Sequence, residues 1–361
     1  MRVGTRRSPA VTKATTTRTT ERRRRLCVLW LSAVTGACAA APARPASNAT
    51  PRHWPALHSG PLSDFVPAAG LRWLVLVKPR EIVMDPELGP ALTQIMPSQR
   101  LDAFAESSGV DLRAVSQGAV AGFPYATLYL GQVPDGVAAL ARERFSERLV
   151  AGAVTKRPRP NLSLITGVIG QTPETLLSVG DRVLAVAVGD PLLAKIAEAY
   201  AEERLKNSPS ALHGSALSTL PELSAGNVAV LLAPGPFADE WRRAAGGLLE
   251  STTAVGIALA PTGGGKIVTK VYLSGAWQDS GTVATRRLAT AWSAFAQSSA
   301  GRLFELNPVA DVTASADLLT LSVELELAPL IRGLKAAVLS DVAELLQMPG
   351  SAPIPAPNVS P

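Results

Sequence analysis

The sequence predicts an α+β fold of two tandem units, each an antiparallel sheet with helices packed on one face, behind an export leader and a disordered linker. Three observations point there. Each half of the body opens on an apolar strand, residues 71–77 in the first and 227–232 in the second. Each holds a hairpin signal, Val179-Gly180-Asp181-Arg182 in one and Pro261-Thr262-Gly263-Gly264-Gly265 in the other. Each then closes on a helical stretch. A doubly wound nucleotide fold would alternate strand and helix regularly, and the hairpins break that alternation. The expected divisions are a signal or membrane-anchor leader over 1–41, a Pro/Ala-rich disordered tether over 42–67, α+β domains over 68–210 and 211–348, and a disordered tail over 349–361.

The elements follow in order. The strand over 71–77 stops at Pro79, which cannot extend a ladder. Short helices are expected over 90–95 and 98–107, the second ended by Gly109, with Asp111 as the N-cap of a further short helix. Residues 120–130 read as one strand, in which Pro124 marks an edge or a bulge. A charged amphipathic helix covers 137–149, with Leu140, Phe145 and Leu149 near one face. Strands over 162–169, 175–179 and 183–188 precede a helix over 192–205, which Pro191 starts and Asn207-Ser208-Pro209 ends. In the second half come a strand over 227–232, a helix over 237–249 and a hairpin of 253–260 with 266–273. A helix over 282–298, a strand over 318–327 and a closing helix over 329–346 complete it.

Charge assigns the compartment. Residues 1–25 carry nine basic side chains against Glu21 alone, whereas residues 39–361 are nearly balanced at a net charge of −2. The basic character therefore belongs to the leader, and the body has no basic stripe with which to bind nucleic acid. Leu26 to Ala41 is an uncharged run of sixteen residues ended by Pro42. That is short of the ~20 apolar residues of a membrane-spanning helix and close to a signal-peptide core. Arg22, Arg23, Arg24 and Arg25 just before it would stay on the cytoplasmic side. Thr35-Gly36-Ala37-Cys38 resembles a bacterial lipobox, which implies a diacylglycerol on Cys38 as the first residue of the mature chain. Thr35 departs from the aliphatic residue that pattern prefers, and Ala37-Cys38-Ala39, Ala39-Ala40-Ala41 or Ala41-Pro42-Ala43 offers ordinary small-x-small cleavage instead.

Missing residue types exclude chemistry. The two cysteines, Cys27 and Cys38, both lie in the leader, so the body has no disulfide, zinc-thiolate site or thiol nucleophile. Of three histidines, His53 and His58 fall in the expected tether and only His213 in the body. Gly263-Gly264-Gly265-Lys266 lacks the spacing and the Ser or Thr of a phosphate loop and reads as a hairpin turn. Asp279-Ser280-Gly281-Thr282 matches one half of an aspartic-protease signature, but no second copy exists, and Asp279 or Ser280 capping a helix accounts for it. His213-Gly214-Ser215 places a base beside a hydroxyl without a nucleophile elbow and reads as a loop. Asp239-Glu240 suits the first turn of a helix, and Glu324 with Glu326 the solvated side of a strand. No catalytic, cofactor-binding or metal residue is expected, and no cofactor.

Gly109-Val110-Asp111-Leu112, the strand ending Leu130-Gly131-Gln132 and the hairpin from Gly180 to Asp190 resemble a loosely defined set of exported bacterial proteins and lipoproteins of unknown function. The resemblance spans much of residues 70–206 and recurs weakly afterwards. It implies tandem α+β units and supplies no catalytic residues. The expected function is a non-enzymatic cell-envelope protein, held at the membrane by its leader or a lipid on Cys38, that binds an envelope partner or scaffolds an assembly. The alternative is a periplasmic carrier of a lipid or other apolar ligand, and a carboxylate-dependent hydrolase is the third reading. Metabolic fatty-acid labelling tests the leader: the mature chain should begin at Cys38, carry the label and lose it in Cys38→Ser. An unlabelled chain beginning between Ala40 and Ala43 would refute lipidation.

Overall fold

The computed structural model describes residues 54–205, 207–213, 216–220, 226–238, 244–278 and 280–339. The expected leader with Cys38 and the expected tail lie outside the described residues. Among the described residues, twelve strands form a single antiparallel sheet in the order β11-β12-β10-β9-β8-β1-β2-β3-β7-β6-β5-β4.

The chain first lays down β1 (Trp73–Val77). Helices α1 (Pro79–Met84), α2 (Leu88–Ile95) and α3 (Ser98–Ser108) follow. A 3-10 turn, Leu112–Ala114, is capped by the Asp111 carboxylate, which accepts from the Arg113 N–H at 2.9 Å. Next come β2 (Gln117–Gly122), β3 (Thr127–Gln132) and α4 (Val137–Arg148). The chain then leaves for the sheet edge and walks back through β4 (Ala151–Arg159), β5 (Leu162–Ile169), β6 (Thr172–Val179) and β7 (Val183–Val188), where β7 pairs β3. Helix α5 (Leu192–Ala201) closes this half.

The second half extends the sheet on the other side of β1. β8 (Ala229–Pro234), β9 (Thr252–Gly263) and β10 (Lys266–Gly275) form a meander. Helices α6 (Gly281–Gln297) and α7 (Ser299–Leu303) lead to the edge strand β11 (Asp311–Ala314), and β12 (Leu318–Glu326) returns to pair β10. Helix α8 (Leu327–Leu339) follows. The halves meet where Leu74 to Val77 of β1 pair antiparallel with Leu232 to Ala229 of β8, so the sheet runs unbroken through the junction.

Helices lie on both faces of the sheet in the first half, which corrects the expectation of one. The period of two decides it. Leu177 belongs to the cluster that holds Leu193, Ala194, Ala197 and Ala201 of α5. Its neighbour Leu176 belongs with Ala138, Ala141 and Phe145 of α4. Alanines on both partners let α5 lie close: Ala185 and Ala187 on the sheet meet the Ala194–Ala197–Ala201 stripe. In the second half, α6 and α8 share the face that α4 occupies. Leu273, Leu319 and Leu321 pack with Trp277, Ala284 and Leu288, and Ile267 packs with Leu327 and Ile331. Among the described residues no helix is long and apolar enough to cross a membrane.

Several boundaries differ from the expectation. Residues 54–67 of the expected tether are part of the fold: Leu62, Phe65 and Val66 are 4%, 1% and 0% exposed, around a 3-10 turn at Leu62–Phe65. Burial of these three apolar side chains offsets the entropy of ordering a Pro/Ser-rich segment. The single strand expected over 120–130 is the hairpin β2–β3, with a turn in which Phe123 N–H donates to the Ala126 carbonyl at 2.9 Å. Where a helix was expected over 237–249, residues Ala244–Glu250 form a 3-10 turn, and 239–243 lie outside the described residues. Strands β4 and β11 were not expected at all.

Phe65→Ala should destabilise the body by about 3–5 kcal/mol, as deletion of a buried aromatic does, read as a lowered denaturant midpoint. A chain starting at Trp54 should keep the wild-type midpoint, and one starting at Leu71 should not fold cooperatively.

Candidate apolar ligand site

The face that carries α4 is not fully covered. Cross-strand register aligns Val186, Tyr129, Val120, Val75, Leu231, Ile257 and Val271 in one row over neighbouring strands. All are half-buried or exposed, with Tyr129 at 47% and Leu231 at 37%. Six steps of ~4.8 Å make this row roughly 29 Å long. One end lies beneath α3 and α4, where an apolar cavity of about 390 Å³ opens.

Its floor is Val120, Tyr129, Leu176, Leu184, Val186 and Val188; Phe104 of α3 and Phe145 of α4 form the opposite wall. The wall is positioned by Gly109, the left-handed cap of α3 at φ 74°, whose N–H donates to the Ala105 carbonyl at 2.8 Å. A β-carbon there would lie 2.9 Å from the backbone of Leu140, so glycine sets how closely α3 approaches α4. The Ser108 hydroxyl, also at the wall, donates to the Phe104 carbonyl at 2.7 Å and is thereby masked.

Arg148, the last residue of α4, and Glu174 of β6 bring charge to the lining. Burial pushes the Glu174 carboxyl up from the ordinary carboxylate range, and the charge of Arg148 pulls it partly back. The site can therefore enclose an apolar body and meet a polar group at one end. Neither residue stood out in the sequence. The only signal was that Glu174 shares a strand face with Leu176, two residues on.

A second, more open cavity of about 590 Å³ lies on the opposite side, near the end of α5. Here His58 Nε2 and Asp64 Oδ2 are 2.9 Å apart, and His213 Nε2 lies 3.3 Å from Asp64 Oδ1. The latter is off the line a hydrogen bond needs, so the buried Oδ1 lacks a hydrogen-bond partner. The His58 ring also meets the Phe65 ring edge-on at 5.5 Å, and the His58 backbone N–H donates to the Ala201 carbonyl at 2.8 Å. The buried Arg159 donates to the Pro55 carbonyl at 3.1 Å. These contacts clamp residues 55–65 to the body. Among the described residues no group of three or more His, Cys, Asp or Glu side chains is arranged to hold a metal.

The residues singled out in the sequence do not converge. Gly263, Gly264 and Gly265 turn the β9–β10 hairpin at φ 78°, 67° and 74°, as a turn requires. Lys266 beyond them pairs with the exposed Glu324 and lies 3.9 Å from Glu326. Ser280 occupies the N-cap position of α6 without a side-chain capping bond. Asp279, Asp239, Glu240 and Ser215 lie outside the described residues. His213 lies in a loop, as expected, and approaches Asp64 from there.

Comparison of the chain with protein-family models, with curated proteins and with solved structures gives no match.

The Glu174 carboxyl yields a pH prediction. Its folded form binds a proton more tightly than the unfolded form, so stability falls as pH rises from the ordinary carboxylate range through the raised folded value. Glu174→Gln should therefore raise the thermal midpoint slightly at neutral pH. The gain should vanish on acidification below the ordinary range, which thermal melts across pH would read.

Proposed function

We propose that this chain is an exported bacterial cell-envelope protein, tethered through a lipid on Cys38, whose body binds an apolar chain-like ligand without catalysing a reaction. The leader pattern supports export and tethering. The observation that carries the binding role is the cavity of about 390 Å³ between the sheet and α3–α4, lined almost wholly by aliphatic and aromatic side chains. Such a volume falls in the range of ~300–1,000 Å³ typical of small-molecule sites. Each buried methylene contributes about 0.8 kcal/mol. Association costs about 4–15 kcal/mol, so a chain of several carbons is needed before binding is net favourable. Glu174 is the one acid lining the cavity, and this speaks against a carboxylate pair of the hydrolytic kind.

We read the body as two copies of one unit. Outward from the seam the strand orders are β1-β2-β3-β7-β6 and β8-β9-β10-β12-β11, with β5 and β4 added to the first. A scaffolding role towards an envelope protein is the second reading. It is favoured by the half-open row at the seam, where Trp73 and Leu231 are each 37% exposed.

An environment-sensitive apolar dye such as N-phenyl-1-naphthylamine should bind the purified body at a stoichiometry of one. Val186→Trp, which fills the cavity, should weaken binding by about tenfold or more, equivalent to 1.4 kcal/mol, with Val120→Phe as a second filling variant. Dye binding that neither variant changes would place the ligand elsewhere, and no binding would leave the scaffolding reading.

A further inference from the structure

The polar end of the cavity carries information about the ligand's head. Arg148 ends α4, and Glu174 stands opposite Val188 in the β6–β7 ladder, on the strand face of Leu176. Both line the cavity, and among the described residues neither side chain makes a hydrogen bond or an ion pair, although the charge of Arg148 acts on Glu174 from a distance. Several arginines of the same half make ion pairs, among them Arg113 with Asp111 and Asp102, Arg144 with Glu147, and Arg182 with Asp135. Arg148, like Arg72, Arg80, Arg100 and Arg157, makes none among the described residues, and it differs from these four in lining the cavity. A cation at a helix C-terminus suits the helix dipole, which accounts for Arg148 by itself. It does not account for a half-buried carboxyl left without a donor at the same end of an apolar chamber.

Resting on the apolar-ligand reading above, we propose that the bound molecule is a single-chain amphiphile with an anionic head, its chain in the cavity and its head on the Arg148 guanidinium. The guanidinium keeps its charge at every accessible pH and presents a planar pair of donors, which matches a carboxylate or a phosphate. Glu174 adds a hydroxyl donor when protonated, and burial favours that protonated form. Together the two groups present one fixed positive charge and a carboxyl that can give a hydrogen bond to an anion. A cationic head would meet Arg148 as a like charge instead.

Displacement of the apolar dye by four molecules of equal chain length tests this: laurate, dodecyl phosphate, dodecanol and dodecylammonium, each below its micellar concentration. The two anions should displace the dye at concentrations about tenfold lower than dodecanol, equivalent to about 1.4 kcal/mol. Dodecylammonium should be the weakest. Laurate against dodecyl phosphate then tells a fatty acid from a phosphate-headed lipid. In Arg148→Gln the anionic preference should disappear while dodecanol binds as before, which also shows that the cavity is intact. Equal displacement by dodecanol and the anions in the wild-type protein would overturn the head-group assignment and leave the apolar site standing. Preference for dodecylammonium would overturn it in favour of Glu174 as the head partner. Failure of all four to displace the dye would defeat the apolar reading itself.

Discussion

The pairing of β1 with β8 is the constraint on which the rest of the molecule depends. β1 is only five residues long, yet it is hydrogen-bonded on both sides, to β2 over its full length and to β8 over four residues. Leu74, its second residue, is fully buried. Without this seam the meanders β1–β2–β3 and β8–β9–β10 would each expose an apolar edge with unpaired backbone groups, which favours aggregation. With it, one sheet carries both halves, and what covers each face of that sheet decides where a ligand can enter.

Coverage is uneven for a reason that lies in the connections. Each half leaves its third strand by a helix that crosses to the outer strands, α4 on one side and α6 on the other. The central strands β1, β2 and β8 therefore receive no long helix on that face. In the second half Trp277 takes up space under α6: it is 3% exposed and its indole N–H donates to the Leu273 carbonyl at 3.0 Å. Beneath α3 and α4 the aromatic rings of Phe104, Tyr129 and Phe145 stand at the walls and floor, and small residues such as Gly118, Gly131 and Ala141 contribute to the lining. The chamber thus follows from side-chain size where the helices cross the sheet.

Much of the architecture was legible in the sequence. Strongly alternating or apolar runs gave strands within a few residues: β5 and β7 coincide with the expected 162–169 and 183–188, and β12 with all but one residue of 318–327. The hairpin at Gly180 and the glycine turn between β9 and β10 were equally plain, because turn chemistry is local. What escaped was non-local or edge-bound. β4 is exposed along nearly its whole length and contains Lys156, Arg157 and Pro158, so no alternation marked it. Its charges suit an edge strand that must not pair further. Leu62, Phe65 and Val66 sit among prolines and serines, and only contact with the β1–β3 meander reveals them as core.

The candidate site was less legible than the fold. Arg148 and Glu174 reach one cavity from a helix and a strand whose proximity no spacing encodes, and the cavity is an absence of side-chain volume. Histidine was misleading in a different way. His58 and His213 seemed scattered, yet both approach Asp64, where they hold the N-terminal segment in place.

The most direct test of a ligand chamber between the sheet and α3–α4 is photocrosslinking with an alkyl diazirine alcohol, mapped by mass spectrometry. The account predicts adducts on Phe104, Tyr129 or Phe145 that an excess of unlabelled dodecanol suppresses. Adducts confined to the outer surface, or insensitive to competition, would contradict it.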